Sequence, residues 1–249
     1  MPHTKKEWFD DWFESLWYLE LYSHRTDEEA AKAIELFRTK IHLSDGSKVL
    51  DLCCGTGRHA RSLAECGYDV TGIDYSHYFI DKATRENTLA NLRFYHCDMR
   101  DEYPGTPYDA VVNFFTSFGY FEEDEENLLA LQQVYAALRP GGWLMFDYLN
   151  EAKVRRHLVP KSEKQLLGAT ITEERRIEGK FVIKNIHIAQ ELKPTINFEE
   201  RVKLYNLDDF QRLFSAARLE ICEWYGTYTA SPFDVENSPR IIIIARRPL

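Results

Sequence analysis

At 249 residues the chain suits one full domain with room for a smaller embedded one. Its 44% hydrophobic and 14% aromatic content is ample for a packed core, while the longest aliphatic run, Ile241 to Ala245, is too short to span a bilayer. A net charge of −9 argues against a surface that grips nucleic acid over its whole extent.

The opening stretch "MPHTKKEWFDDWFE" lacks an apolar run and a small-residue cleavage site, so no signal peptide is expected there. Five cysteines with no C-x-x-C pair fit a reducing compartment, and a cytoplasmic location is expected. Cys53, Cys54 and Cys97 lie on or at the ends of apolar strands, where cysteine serves as a small core residue.

Residues 6 to 39 read as helical and amphipathic, with Ala30, Ile34 and Phe37 at helical spacing. Strands and helices then alternate. "KVLDLC" precedes a helix over 57–66, "DVTGID" (69–74) a helix over 76–90, and "LRFYHC" (92–97) is followed by "YDAVVNFF" (108–115). A helix over 124–138 is opened by the acidic run Glu122 to Glu126, which complements the positive helix end, and is stopped at "RPGG" before strand "GWLMFDYL" (142–149). Short β-branched strands between helices mean a parallel sheet covered on both faces.

After residue 150 the rhythm changes. Residues 151–206 alternate polar and apolar, with Glu178-Gly179 as a turn, and read as an inserted antiparallel ribbon of three or four strands. This segment holds 12 Lys/Arg against 8 Asp/Glu, a local excess of +4. A helix over 207–217 resumes the alternation, and strands "LEICEWYGTY" and "RIIIIARR" follow with no helix between them. Strands joined without a crossover helix are most easily antiparallel, so the sheet is expected to end in a reversed strand.

"VLDLCCGTGRHA" (49–60) is a strand running through two glycines into a helix. Gly55-x-Gly57-x-x-Ala60 formally satisfies the dinucleotide fingerprint, which would place a pyrophosphate at the helix start. Asp51, four residues before Gly55, argues against that ligand, because a carboxylate repels two phosphates. A ligand with an ammonium group and no phosphate, such as S-adenosylmethionine (SAM), would favour it. Asp74 ends the second strand, where a carboxylate can accept hydrogen bonds from both ribose hydroxyls of either ligand. Asp98 ends the third strand in "HCDMRD", placed to accept from an adenine amino group, with Met99 against the ring. One strand-end Asp is ordinarily a turn or cap residue; three on successive strands mark the carboxyl edge where open α/β sheets bind ligands.

"VLDLCCGTGRHA", "GIDYS", "CDMRD", "YDAVVNFFTSFGYF" and "LRPGGWLMFDYLN" together resemble, in order and spacing, the successive motifs of the class I SAM-dependent methyltransferases. The resemblance implies a Rossmann-like α/β sheet, mostly parallel with a reversed last strand, SAM as cofactor and S-adenosylhomocysteine as product. "FTSFGYF" and the inserted ribbon are similar to the small-molecule group that includes the glycine and nucleotide-sugar N-methyltransferases. That similarity implies an inserted β lid (151–206) over a SAM-binding domain (1–150 and 207–249) with an N-terminal helical cover.

On this reading Gly55 and Gly57 let the backbone approach the methionyl part of SAM, with Asp51 and the Cys53 carbonyl near its ammonium. The resemblance further implies that an aromatic of the N-terminal helix meets the methionyl carboxylate, and Tyr22 is the candidate. Phe114, Phe115, Phe118, Tyr120 and Phe121 make the segment after the fourth strand unusually aromatic. For such strand residues core packing is the ordinary use, although aromatic faces also attract a sulfonium; Phe114 is therefore a cofactor candidate. The resemblance to the sugar N-methyltransferases implies that Tyr120 stands at an acceptor-facing position, and it is the candidate catalytic residue, orienting the acceptor rather than acting as base, since a phenol of pKa about 10 is a poor base near pH 7. His24, His59 and His77 share no metal-ligand spacing, and no metal site is expected.

The expected activity is direct methyl transfer to a small-molecule acceptor, with no membrane partner and nucleic acid disfavoured. An RNA or protein methyltransferase of the same fold, using Arg175, Arg176, Lys180 and Lys184 as a binding face, and a non-catalytic SAM-binding protein are the alternatives. The acceptor and its nucleophilic atom are open, as is the oligomeric state, a homodimer included.

Overall fold

The computed structural model describes residues 6–23 and 26–249. The N-terminal segment, expected as continuous helix, is three helices: α1 (Phe9–Trp12), α2 (Leu16–Leu21) and α3 (Asp27–Lys40). Ser15 and Thr26 break it. Each is extended and accepts a backbone N–H of the turn that follows, from Trp17 and Glu29 respectively, as N-cap residues do.

The alternating region gives β1 (Lys48–Leu52), α4 (Arg58–Glu65), β2 (Asp69–Asp74), α5 (His77–Glu86), β3 (Leu92–His96), β4 (Tyr108–Asn113), α6 (Asp124–Ala137) and β5 (Leu138–Leu149). The last begins four residues earlier than the glycines led one to expect. Helix α7 (Glu151–His157) follows. It was not expected, because none of its residues is buried and so no apolar periodicity announces it. Then come β6 (Lys161–Leu166), β7 (Ala169–Glu178), β8 (Phe181–Gln190), β9 (Ile196–Lys203), α8 (Leu207–Ala216), β10 (Glu220–Tyr225) and β11 (Arg240–Arg246).

Seven strands form one sheet in the order β10-β11-β5-β4-β1-β2-β3. Strands β1 to β5 pair in parallel, and β11 is reversed against both β5 and β10. Alternate residues bury opposite faces. Leu50, Val111, Leu144 and Ile243 pack with Leu131, Phe210 and Phe214 of α6 and α8, while Val49, Ala110, Val112 and Ile242 pack with Ile34, Phe37 and Leu63 of α3 and α4. No helix among the described residues is long and apolar enough to cross a membrane.

The second sheet, β6-β7-β8-β9, is antiparallel throughout. One of its faces carries Ile171, Ile186, Ile188 and Phe198, which pack on Trp12 and Leu21 of α1 and α2. Arg175 and Lys184 are paired neighbours on that same face, whereas Arg176, paired with Ile183, points the other way.

Candidate active site

The parallel strands deliver their carboxyl ends to one edge, and three acidic side chains gather there. Asp51 of β1 is almost wholly buried, and its Oδ2 has no hydrogen-bond partner. Burial pushes its pKa up to about 8, the Ala60 N–H opposing and the Asp74 charge reinforcing the shift. Asp74, at the end of β2, accepts the Gly55 N–H at 2.8 Å and the Ser76 N–H at 2.9 Å. Burial still raises it to about 6.

Asp98 lies two residues beyond the end of β3 and reaches the same edge. Its carboxylate is forked by Arg100, with Nε at 3.0 Å from one oxygen and Nη2 at 2.7 Å from the other, and the Arg100 N–H also donates to it. Arg100 is itself buried and pairs with Glu126. The acidic start of α6 is therefore not merely solvated: Glu126 holds this arginine, and Asp124 accepts from Tyr205 and Lys203.

The loop joining β1 to α4 turns through three left-handed residues, Cys53 (φ 61°), Gly55 (56°) and Gly57 (82°). For Cys53 this conformation costs about 1–2 kcal/mol. The two glycines have different reasons. A Cβ on Gly55 would meet nothing within 4 Å, so its backbone lies open to the cavity; a Cβ on Gly57 would sit 2.4 Å from Cζ of Phe94. Gly57 is there for packing and does not line the cavity.

That cavity, about 330 Å³, is walled by Tyr22, Asp51, Cys53, Gly55, Asp74, Asp98, Met99, Phe114 and Tyr120, so it brings together every candidate residue except Gly57. The wall also holds Tyr18, expected beside Tyr22 on the enclosing helix, His59, considered only as a metal ligand, and residues that sequence reasoning passed over: Phe9, Phe13, Tyr75 and Phe79, together with Arg58 of α4. The signal for Phe9 and Phe13 was present, since "EWFDDWFESLWYLELY" is far richer in aromatics than one buried helix face needs. Arg58 Nη1 donates to the Thr26 carbonyl at 2.8 Å and Lys82, also at the wall, is ion-paired with Glu86.

Aromatic rings form the roof. Tyr120 meets Trp8 edge-to-face at 5.4 Å and Phe13 at 5.7 Å, and the Trp8 indole donates to the Tyr120 carbonyl at 3.0 Å. The Tyr120 hydroxyl donates to the Thr116 carbonyl at 3.0 Å. Helix α1 and its C-cap are tied to the floor as well: Tyr75 donates to Asp10 and Ser76 to the Phe13 carbonyl, both at 2.9 Å.

The ribbon contributes no residue to this wall. The ribbon was expected to enclose the acceptor together with the helix around Tyr18 and Tyr22; the helix lines the cavity, and the ribbon braces it from behind. The Tyr22 hydroxyl donates to Glu200 at 2.6 Å, the Trp12 indole donates to the same carboxylate at 2.8 Å, and Lys184 bridges Tyr22 and Glu200. The Tyr22 hydroxyl is thus turned to the ribbon while its ring sides the cavity. The cations once grouped as one platform are divided: Arg175 and Lys184 are paired with Glu173 and Glu200 on the inner face, Arg176 with Glu178, and Lys180 with Asp209.

Among the described residues no three His, Cys, Asp or Glu side chains could together hold a metal ion; His24 lies outside the described residues. A ligand for this site needs a cation to meet Asp51 and hydroxyls to meet Asp74. A phosphate beside Asp51 and Asp74 would be repelled once these carboxyls ionise, near pH 8 and pH 6 respectively. The ammonium, ribose and adenine of SAM fit the orphaned Asp51 oxygen, the strand-end carboxylates and the open backbone at Gly55.

Residues 49–142 match the model of a family described as a methyltransferase domain. Over 210 residues the chain is 25% identical to the cypemycin N-terminal methyltransferase of Streptomyces sp, covering 82% of this chain and 84% of that one. It is 29% identical over 200 residues to the dTDP-3-amino-3,6-dideoxy-alpha-D-glucopyranose N,N-dimethyltransferase of Streptomyces fradiae, covering 78% and 77%. Its fold is similar to that of a solved S-adenosylmethionine-dependent methyltransferase from Clostridium acetobutylicum ATCC 824, with a TM-score of 0.80 at 17% identity over 96% and 99% of the two chains.

Proposed function

This chain belongs to the class I SAM-dependent methyltransferases, and from that premise we propose that it methylates an amine on a small, largely apolar acceptor. The observation that carries this reading is the division of the cavity wall. Carboxylates sit at the strand ends, while everything that α1, α2 and the 114–121 segment contribute, Phe9, Phe13, Tyr18, Tyr120 and Phe121 foremost, is uncharged.

Asp51 and the Cys53–Gly55 backbone would hold the amino-acid end of SAM, Asp74 the ribose, and Met99 with the Asp98 segment the adenine. When bound, SAM supplies a methyl group already activated by its positive sulfur, which an acceptor nucleophile takes in line. The chain's task is then placement, for which good orientation is worth about 7–11 kcal/mol of barrier. The aromatic roof excludes water and so disfavours the charged form of an amine, leaving the lone pair that must attack. Tyr120 orients that amine. Helices α1 and α2 act as the cover and the ribbon as its brace.

Among the described residues the cations at the wall are Arg58, which donates to the Thr26 carbonyl, and Lys82, which is paired with Glu86, so neither stands ready for a nucleotide phosphate. An amine near the size and polarity of a benzylamine or a deoxy-aminosugar without its nucleotide fits better. The separation of Arg175 and Lys184 from Arg176 and Lys180, each of these four paired with an acid, supports small-molecule work over an RNA platform. The test is formation of S-adenosylhomocysteine from SAM with a panel of apolar amines, glycine, a nucleotide-linked aminosugar, a peptide N-terminus and RNA. Turnover confined to the apolar amines is expected; preferred turnover of RNA or of the nucleotide-linked sugar would overturn the reading.

A further inference from the structure

Phe115 and Thr116, between the cavity wall and Tyr120, are consecutive non-glycine residues in the left-handed region, at φ 59° and 65°. Nothing in their own sequence favours that conformation, so the surroundings must impose it. They do so through Asp147 of β5, a fully buried carboxylate. Its Oδ2 accepts the Phe115 N–H at 2.7 Å, and its main-chain carbonyl accepts the Thr116 N–H at 3.1 Å. Two further side chains converge on it from the far end of the chain. The Tyr228 hydroxyl donates to Oδ2 at 2.6 Å, and Arg240 of the reversed strand donates Nε to Oδ1. The Arg240 guanidinium lies 5.3 Å over the Phe115 ring, and its Nη2 reaches the Thr116 hydroxyl at 3.2 Å. Thr116 in turn offers its carbonyl to the Tyr120 hydroxyl.

We propose that Asp147 and Arg240 are positioning residues for methyl transfer: the buried ion pair clamps the strained Phe115–Thr116 turn and thereby fixes where Tyr120 stands. The inference rests on the reading of Tyr120 as the acceptor-orienting residue. Asp147 is suited to the task because it is the one group that receives both strained-turn N–H donors, through its side chain and its own carbonyl. Arg240 neutralises the buried charge and adds a second hold on Thr116, so both arms of the clamp end on the same residue. Neither Asp147 nor Arg240 lines the cavity, so the clamp acts on the chemistry only through the turn.

The full chain carrying Asp147→Asn, Thr116→Val or Thr116→Ser is compared with the parent by amide hydrogen exchange across 113–121, by calorimetry with SAM, and by methyl transfer to an amine that the parent accepts. In Asp147→Asn the Phe115 and Thr116 amides should exchange at least about tenfold faster. Transfer should slow by about ten- to a hundredfold, as misplacement of a reacting group does, while SAM affinity changes by less than about threefold. Thr116→Val should show the same split more weakly, and Thr116→Ser, which keeps the hydroxyl, should restore both readouts. If Asp147→Asn does not fold, the Val and Ser pair decides. Unchanged exchange in the variants, or SAM affinity falling in step with transfer, would overturn the proposal. A parent chain that neither binds SAM nor methylates any amine would count against the functional reading instead, and the exchange measurement would still judge the clamp.

Discussion

Tyr22 and Glu200, 178 positions apart, are joined by a hydroxyl-to-carboxylate hydrogen bond of 2.6 Å that fastens the cavity's cover to the ribbon. A bond to an ionised acceptor is worth about 1.5–3 kcal/mol, so Tyr22→Phe should let SAM leave about ten- to a hundredfold faster with little change in its entry rate. Glu200→Gln should act in the same direction. Stopped-flow binding measures both. Tighter SAM binding by Glu200→Gln would instead mean that the freed Tyr22 hydroxyl serves the ligand itself.

SAM binding should be bell-shaped in pH with its maximum near 8. Asp51, raised to about 8 in the empty site, is neutral below that pH and must lose its proton to face an ammonium. Affinity should therefore weaken by up to about tenfold per pH unit below 8, and weaken again above 8 as the ligand's own α-amino group, with a pKa of about 7.7–8.0, is neutralised. The sign for stability is opposite. A carboxyl that holds its proton when folded but ionises near pH 4 when unfolded makes the ligand-free protein less stable as pH rises from about 4 to 8. Calorimetry at pH 6.5 in buffers of different ionisation enthalpy should show about one proton released; no proton release there would remove Asp51 from the ammonium site.

The two glycines of the β1–α4 loop should separate into different phenotypes. Gly57→Ala drives a methyl group into Phe94 and keeps a left-handed φ, so it should cost about 2–5 kcal/mol of stability in a thermal melt. Gly55→Ala meets no neighbour and should cost only about 1–2 kcal/mol for its backbone. Its added methyl points at the cavity, so the larger loss should appear as SAM affinity. Equal stability losses with equal binding would refute the division.

The sheet and its ligand edge were legible because β-branched strands, glycine turns and strand-end acids are local signals with one physical meaning each. That Asp51 and Asp74 face the cavity needed only their place near a strand end, whereas Tyr120, seven residues beyond β4, came from the family resemblance. The roles of Asp98 and Tyr22 were not legible in the same way, for their partners Arg100 with Glu126, and Lys184 with Glu200, come from packing between distant elements. Helix α7 was hidden by having no buried face. The breaks at Ser15 and Thr26 were readable as N-caps in principle, but the aromatic run around them masks the boundaries. Asp147 looked like one more strand residue; only the reversed strand, which brings Arg240 beside it, reveals its charge partner.

Tyr120→Phe should distinguish orientation from base catalysis. The Tyr120 hydroxyl donates its proton to the Thr116 carbonyl, so toward an amine N–H it can act only as an acceptor. Removing the hydroxyl deletes two neutral hydrogen bonds, to the Thr116 carbonyl and to the amine, each worth about 0.5–1.5 kcal/mol, so transfer should slow by about five- to a hundredfold. The ring and its contacts with Trp8 and Phe13 survive the substitution, so melting temperature and SAM affinity should hold. A general base would behave otherwise: its loss costs about 10²–10⁴ in rate and erases a limb of the pH–rate profile. Tyr120→Ala should be far worse than Tyr120→Phe, because it opens a hole in the roof against Trp8, Phe9 and Phe13 and admits water to the amine. A Phe variant that loses more than about a hundredfold with an altered pH profile would make the phenol itself the proton carrier.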